Sequence, residues 1–227
     1  MQLSTYFNGV WQDNNFESLR YSGYQLVDYV NSQNPTSVLD VGCGYNRFKG
    51  KIKNLTGIDP YNDAADIKVK IENFYPLTIH DNYDIVLCLG SINFGDEETI
   101  DNQLSIINEL FTKEAIFRVN PGIPHDWTDY GDIVWYKWTL DKIHHVAMKY
   151  NYDIKKLKCE YTAEGHRRLF FIFAKSFPIT NTFPLSGFIR PEIRRKRVVF
   201  PTPDPPIIAT TDPFWIDRFK LSMIGFP

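Results

Sequence analysis

Ser37-Val38-Leu39-Asp40-Val41-Gly42-Cys43-Gly44 reads as a short buried strand that runs directly into a glycine-rich turn. Pro35-Thr36 closes the segment before it, and the apolar run is too short to be a helix. Gly42 and Gly44 permit backbone torsions, and a close approach by a ligand, that a Cβ would block. A strand feeding such a turn is how a β-α-β unit begins, so the rest of the chain is read for alternation.

That alternation is present. A second strand, Leu55-Thr56-Gly57-Ile58, stops at Asp59-Pro60, and a third short strand is expected around Ile67-Lys68-Val69. Tyr83-Asp84-Ile85-Val86-Leu87-Cys88-Leu89-Gly90, the most strand-like run in the chain, is the fourth. The spacing of Ile100, Leu104, Ile107, Leu110 and Phe111 predicts a helix over 97–111. Ala115 to Val119 makes a fifth strand, ended by Asn120-Pro121-Gly122. Thr139 then caps a helix running to Tyr150, with Leu140, Ile143, Val146, Ala147 and Tyr150 inward. Two final strands, 155–161 and 168–174, are joined by a polar link containing Gly165, which suits a hairpin. Ahead of the first strand, Phe16, Leu19, Tyr24, Leu26, Val27 and Val30 recur at roughly helical spacing, interrupted by Gly23. The expected fold is α/β: a mostly parallel sheet with helices on both faces, ending in an antiparallel strand pair.

Three segments follow from this reading: an N-terminal helical stretch (1–35), the α/β domain (36–175) and an extended tail (176–227). The tail holds nine of the chain's 14 prolines, so it can neither supply central-strand donors nor continue a helix. Its basic cluster, Arg190, Arg194, Arg195, Lys196 and Arg197, precedes Phe214, Trp215, Ile216, Phe219, Leu221, Met223, Ile224 and Phe226, apolar residues able to anchor it to a partner chain or to its own domain. A net charge of −2 gives no global field toward nucleic acid or an anionic membrane. With no secretory leader pattern and no span-length apolar run, the expectation is a soluble intracellular protein. Cys43, Cys88 and Cys159 lie far apart with no Cys-x-x-Cys pair, so neither a disulfide framework nor a zinc site is expected.

In a parallel α/β sheet ligands gather beyond the C-terminal strand ends. Asp59 lies 19 residues after Asp40, about where a Rossmann-type unit places the carboxylate that takes hydrogen bonds from ribose hydroxyls. The turn reads Gly42-Cys43-Gly44-Tyr45-Asn46-Arg47, so the third glycine of a dinucleotide fingerprint is missing, which counts against NAD and FAD. Val38-Leu39-Asp40-Val41-Gly42-Cys43-Gly44 with Thr56-Gly57-Ile58-Asp59 instead resembles the class I S-adenosylmethionine-dependent methyltransferase family. The resemblance spans about 15–175 and is specific only in those two segments.

The resemblance implies a Rossmann-like methyltransferase sandwich with S-adenosylmethionine as cofactor. Carried over by position, it makes Gly42, Cys43 and Gly44 the backbone around the methionine moiety, Asp40 its polar support and Asp59 the ribose acceptor. It puts Glu72 near the adenine edge and Leu89, at the end of the fourth strand, near the transferred methyl group. Two departures stand out. The segment Tyr45 to Asn54 leaves room for only a turn or two of the usual helix, and Asn46 fills a place where the family has another glycine. After the fourth strand comes Ser91-Ile92-Asn93-Phe94 rather than the Asn/Asp-Pro-Pro-Tyr signature used on amide or base nitrogens. The loop after the fifth strand offers His125 as its only candidate base, with Trp127, Trp135, Tyr136 and Trp138 around it. With its short glycine loop and its tail, the chain also resembles methyltransferase-like proteins of tailed bacteriophages. That resemblance implies either an enzyme of the host cytoplasm or a turnover-deficient component of a virion.

Overall fold

The computed structural model describes residues 2–10, 25–74, 82–122, 132–161 and 167–176. The tail beyond residue 176 with its basic cluster, the helical spacing at Phe16, Leu19 and Tyr24, the link containing Gly165, His125 and Trp127 lie outside the described residues. Six strands, β1 (Val38–Val41), β2 (Leu55–Ile58), β3 (Tyr83–Leu89), β4 (Phe111–Val119), β5 (Tyr152–Tyr161) and β6 (Arg167–Lys175), form one sheet in the order β2-β1-β3-β4-β6-β5. The first four run parallel, while β6 pairs antiparallel with both β4 and β5. This is the expected Rossmann-like architecture, parallel with an antiparallel pair at one end.

Each central strand is buried on both faces, which is why β1 and β3 read as apolar runs interrupted only by Asp40 and Asp84. Val86 and Cys88 of β3, Ala115 and Phe117 of β4, and Phe171 and Phe173 of β6 face helices α3 (Ile71–Phe74), α4 (Glu97–Leu110) and α5 (Leu140–Tyr150). On the other face Ile85, Leu87, Ile116 and Ile172 meet helix α2 (Leu26–Ser32) together with Phe48 and Ile52. Asp96 caps α4 by accepting the Thr99 N–H at 2.9 Å, and Thr139 caps α5 by accepting from Lys142 at 3.1 Å. Asn151 ends α5 in the left-handed region at φ 55°.

Several expectations need correction. Ile67 makes only one isolated parallel bridge, to Ile58, so no third strand forms there. The edge of β2 is instead closed by Asp66, whose carboxylate accepts the Gly57 N–H at 2.8 Å and whose own N–H donates back to the Gly57 carbonyl at 2.9 Å. Phe111 is the first residue of β4, not the last of the helix. Leu140 is 48% exposed because side chains in a first helical turn tilt back past the start of the helix. β5 begins three residues early, and a bulge between Ile154 and Lys156 moves Leu157 onto the face already used by Tyr152 and Ile154.

Among the described residues no helix is long and apolar enough to cross a membrane. Before α2, a short helix α1 (Leu3–Thr5) continues into a π-helical turn, Tyr6–Val10.

Phe171 sits at the centre of the larger core, fully buried and stacked on Phe117 with centroids 4.8 Å apart. Phe171→Ala is expected to lower unfolding stability by about 3–5 kcal/mol in chemical denaturation, through lost burial and the cavity left behind.

Candidate functional site

The tips of β1 and β2 are joined by their own backbone. The amides of Gly42 and Cys43 both donate to the Ile58 carbonyl, at 2.8 and 3.0 Å. Gly42 (φ +70°) and Gly44 (φ +54°) lie in the left-handed region. A Cβ on Gly42 would fall 2.4 Å from Cβ of Ser91, just beyond the end of β3. Glycine at 42 is therefore demanded by torsion and by space together. No α-helix follows; residues 43–52 are a chain of turns in which Phe48 and Ile52 are buried against the sheet. Asn46 takes the third left-handed position (φ 51°), and its Nδ2 donates to the Ala64 carbonyl at 3.1 Å.

Asp59 gathers the surrounding loops. Its Oδ2 accepts the Gly44 N–H at 3.1 Å, while Oδ1 accepts those of Tyr61 and Asn62 at 2.8 and 2.9 Å. Oδ1 is thereby filled, and Oδ2 keeps one lone-pair direction. The carboxylate is a structural knot first and offers a ligand one acceptor rather than two.

Asp40 is 2% exposed, and its Oδ2 has no hydrogen-bond partner among the described residues. Burial, reinforced by the nearby Asp59 charge, raises its carboxyl from the usual carboxylate range to about 7. The same burial, with the Asp40 and Asp59 charges, pushes the Cys43 thiol up, so it is neutral and inert at neutral pH. Ser91 Oγ is likewise buried without a partner. Two unsatisfied polar atoms therefore belong to residues on either side of the Gly42 turn.

Asp40, Gly42, Cys43, Gly44 and Asp59 are thus brought together at one pair of strand ends. Leu89 ends β3, half-buried and packed against the α2-side core. Glu72 sits on α3, where its Oε1 accepts from Gln103 of α4 at 2.8 Å; no bond ties it to the glycine turn. The loop after β3 is pinned by Asn93, whose Nδ2 donates to the Gly90 carbonyl at 2.8 Å and whose Oδ1 accepts the Asn120 N–H at 2.9 Å. Trp138 is buried and its Nε1–H donates to the Ile92 carbonyl at 2.7 Å, so it is packing rather than a cage.

Four chain segments bring rings to this end of the sheet. Phe7 stacks on Tyr61 with centroids 5.2 Å apart and planes 8° apart, and meets Phe94 edge-on at 5.2 Å. Phe94 packs against Trp135 at 4.7 Å, and Trp135 meets Tyr6 at 5.9 Å. Sequence reasoning did not single out Ser91 as the wall of the Gly42 turn, nor Tyr61 and Phe7. For Ser91 and Tyr61 the available signal was position, since they lie two and three residues beyond a strand end.

No family model matches this chain, and no curated protein does. Solved structures do match. The magnesium protoporphyrin IX methyltransferase of Synechocystis, with bound S-adenosylmethionine, superposes with a TM-score of 0.56 at 15% identity, over 76% of this chain and 95% of that one. A 1,6-didemethyltoxoflavin-N1-methyltransferase of Burkholderia thailandensis, with 1,6-didemethyltoxoflavin and S-adenosylhomocysteine bound, gives 0.56 at 14%, over 77% and 85%. The N-methyltransferase NodS of Bradyrhizobium japonicum, complexed with S-adenosylhomocysteine, gives 0.53 at 14%, over 74% and 91%. At such identities the likeness establishes the fold: this chain has the Rossmann-like methyltransferase sandwich.

The Asp40 carboxyl has a checkable signature. With its folded value near 7 and an unfolded value near 4, the native state binds the extra proton between those limits, so stability falls as pH rises through them and levels off above 7. Asp40→Asn removes the titration, so its stability relative to wild type should improve by about 3 kcal/mol between pH 5 and pH 8. Urea denaturation of both proteins at the two pH values measures this, and a constant difference would contradict it.

Proposed function

We propose that this protein binds S-adenosylmethionine in the cradle formed by Asp40, Gly42, Cys43, Gly44 and Asp59 and transfers a methyl group from it to an acceptor nucleophile. The observation that carries this reading is the buried, unpartnered Oδ2 of Asp40 beside a turn that has no room for a Cβ at position 42. A buried carboxylate oxygen left unpaired costs on the order of 1–3 kcal/mol or more, a penalty that a ligand ammonium removes by supplying both a donor and a positive charge. The residues present fit such a ligand: an acid for an amino group, glycine backbone for close approach, and one open lone pair on Asp59 for a ribose hydroxyl. The methyltransferases of the same fold that hold S-adenosylmethionine or S-adenosylhomocysteine support the choice of ligand.

When bound, the cofactor supplies an electrophilic methyl group on a sulfonium centre. This chain's own residues orient it. Gly42 and Gly44 hold the turn open, Asp59 fixes the turn against the exit of β2, and Asp40 in its ionised form grips the amino group. Leu89 and the Asn93-pinned loop set the floor at the end of β3, where an in-line acceptor would stand. Glu72 keeps Oε2 free of its bond from Gln103, which leaves that oxygen for an adenine amino group.

Calorimetry with S-adenosylhomocysteine tests the reading. Wild type should bind, Asp40→Asn should bind at least about tenfold more weakly, the order expected for one charge-assisted hydrogen bond, and Gly42→Ala should not bind. Affinity should rise with pH through about 7 as Asp40 ionises, and that rise should vanish in Asp40→Asn. Equal affinities for wild type and Asp40→Asn would sink the assignment.

A further inference from the structure

We infer that Phe7 occupies the seat of a flat heterocycle, so that the N-terminal segment obstructs the proposed cradle until a ligand displaces it; this rests on the reading of the cradle given above. Tyr61 is the only aromatic residue between Asp59 and Phe74, and its N–H lies 2.8 Å from the Asp59 carboxylate. A base carried on a ribose held by Asp59 therefore has the Tyr61 ring within reach as a stacking surface. Phe7 already lies on that ring, parallel within 8° at a centroid distance of 5.2 Å, the offset arrangement that a base adopts on tyrosine.

The neighbouring contacts make this segment a strap rather than a loose end. Tyr6 is 4% exposed and edge-on to Trp135, whereas Phe7 is only half-buried. The anchor is the residue beside Phe7, so Phe7 can leave Tyr61 while the strap stays attached. Phe7 also touches Phe94, beyond β3, so its departure alters the nucleoside end and the transfer end of the site together.

A ligand that must first displace this ring binds with reduced apparent affinity, in proportion to the fraction of molecules in which the seat is open. An aromatic pair of this kind shifts an equilibrium roughly two- to tenfold. Calorimetry with S-adenosylhomocysteine on full-length wild type, Phe7→Ala, Phe7→Leu and Tyr61→Ala reads that factor. Phe7→Ala and Phe7→Leu should bind roughly two- to tenfold more tightly than wild type, and Tyr61→Ala more weakly. Should Phe7→Ala fail to fold, Phe7→Leu, which keeps apolar bulk and loses the flat face, carries the test. Unchanged or weaker binding in the Phe7 variants overturns the obstruction and leaves the cofactor reading intact. Absence of binding in all four proteins overturns both.

Discussion

One carboxylate organises the end of the sheet at which the candidate site lies. Asp59 accepts amides from Gly44, Tyr61 and Asn62, which belong to the two segments that leave the neighbouring parallel strands β1 and β2, and binds them into a single rim. Without that side chain the Gly44 amide would lose its partner, and Tyr61 the acceptor of its backbone N–H. The arrangement explains how a turn with no following helix keeps its shape. Here a charge-assisted knot performs the work that a helix start performs elsewhere.

The fold was readable because parallel sheets impose a simple pattern: buried runs, glycine or proline punctuation, and helices whose apolar spacing marks the covered face. β1, β3, α4 and α5 follow it closely. The failures have local causes. Ile67 looks like a strand residue, but the Asp66 side chain takes the Gly57 N–H, and the pairing stops at a single bridge between Ile67 and Ile58. The start of β5 was hidden because its bulge breaks the alternation that identifies strands. Phe111 belongs equally well to a helical face or a strand, and pairing opposite Tyr83 decides the matter.

The site was legible to the extent that it is contiguous in sequence. Asp40, Gly42 and Gly44 belong to one turn, and Asp59 stands at a spacing set by the strand–turn–strand geometry. What the residue types do not disclose is saturation: Asp59 was expected to offer its whole carboxylate and has already committed most of it to backbone. Nor does sequence reveal the meeting of Phe7 with Tyr61, or of Ser91 with Gly42, because those partners come from segments 54 and 49 positions apart that only the sheet order brings together.

The missing helix after the glycine turn has a further consequence for selectivity. A helix start supplies partial positive charge, which is what makes the corresponding turn of other α/β proteins hospitable to phosphate. This turn has none, and two carboxylates stand beside it instead. With Asp59 beside the turn, and Asp40 once ionised, the local field is negative, which disfavours polyphosphates and favours cationic groups. Any ligand that reaches this turn is therefore sorted first by the sign of its charge.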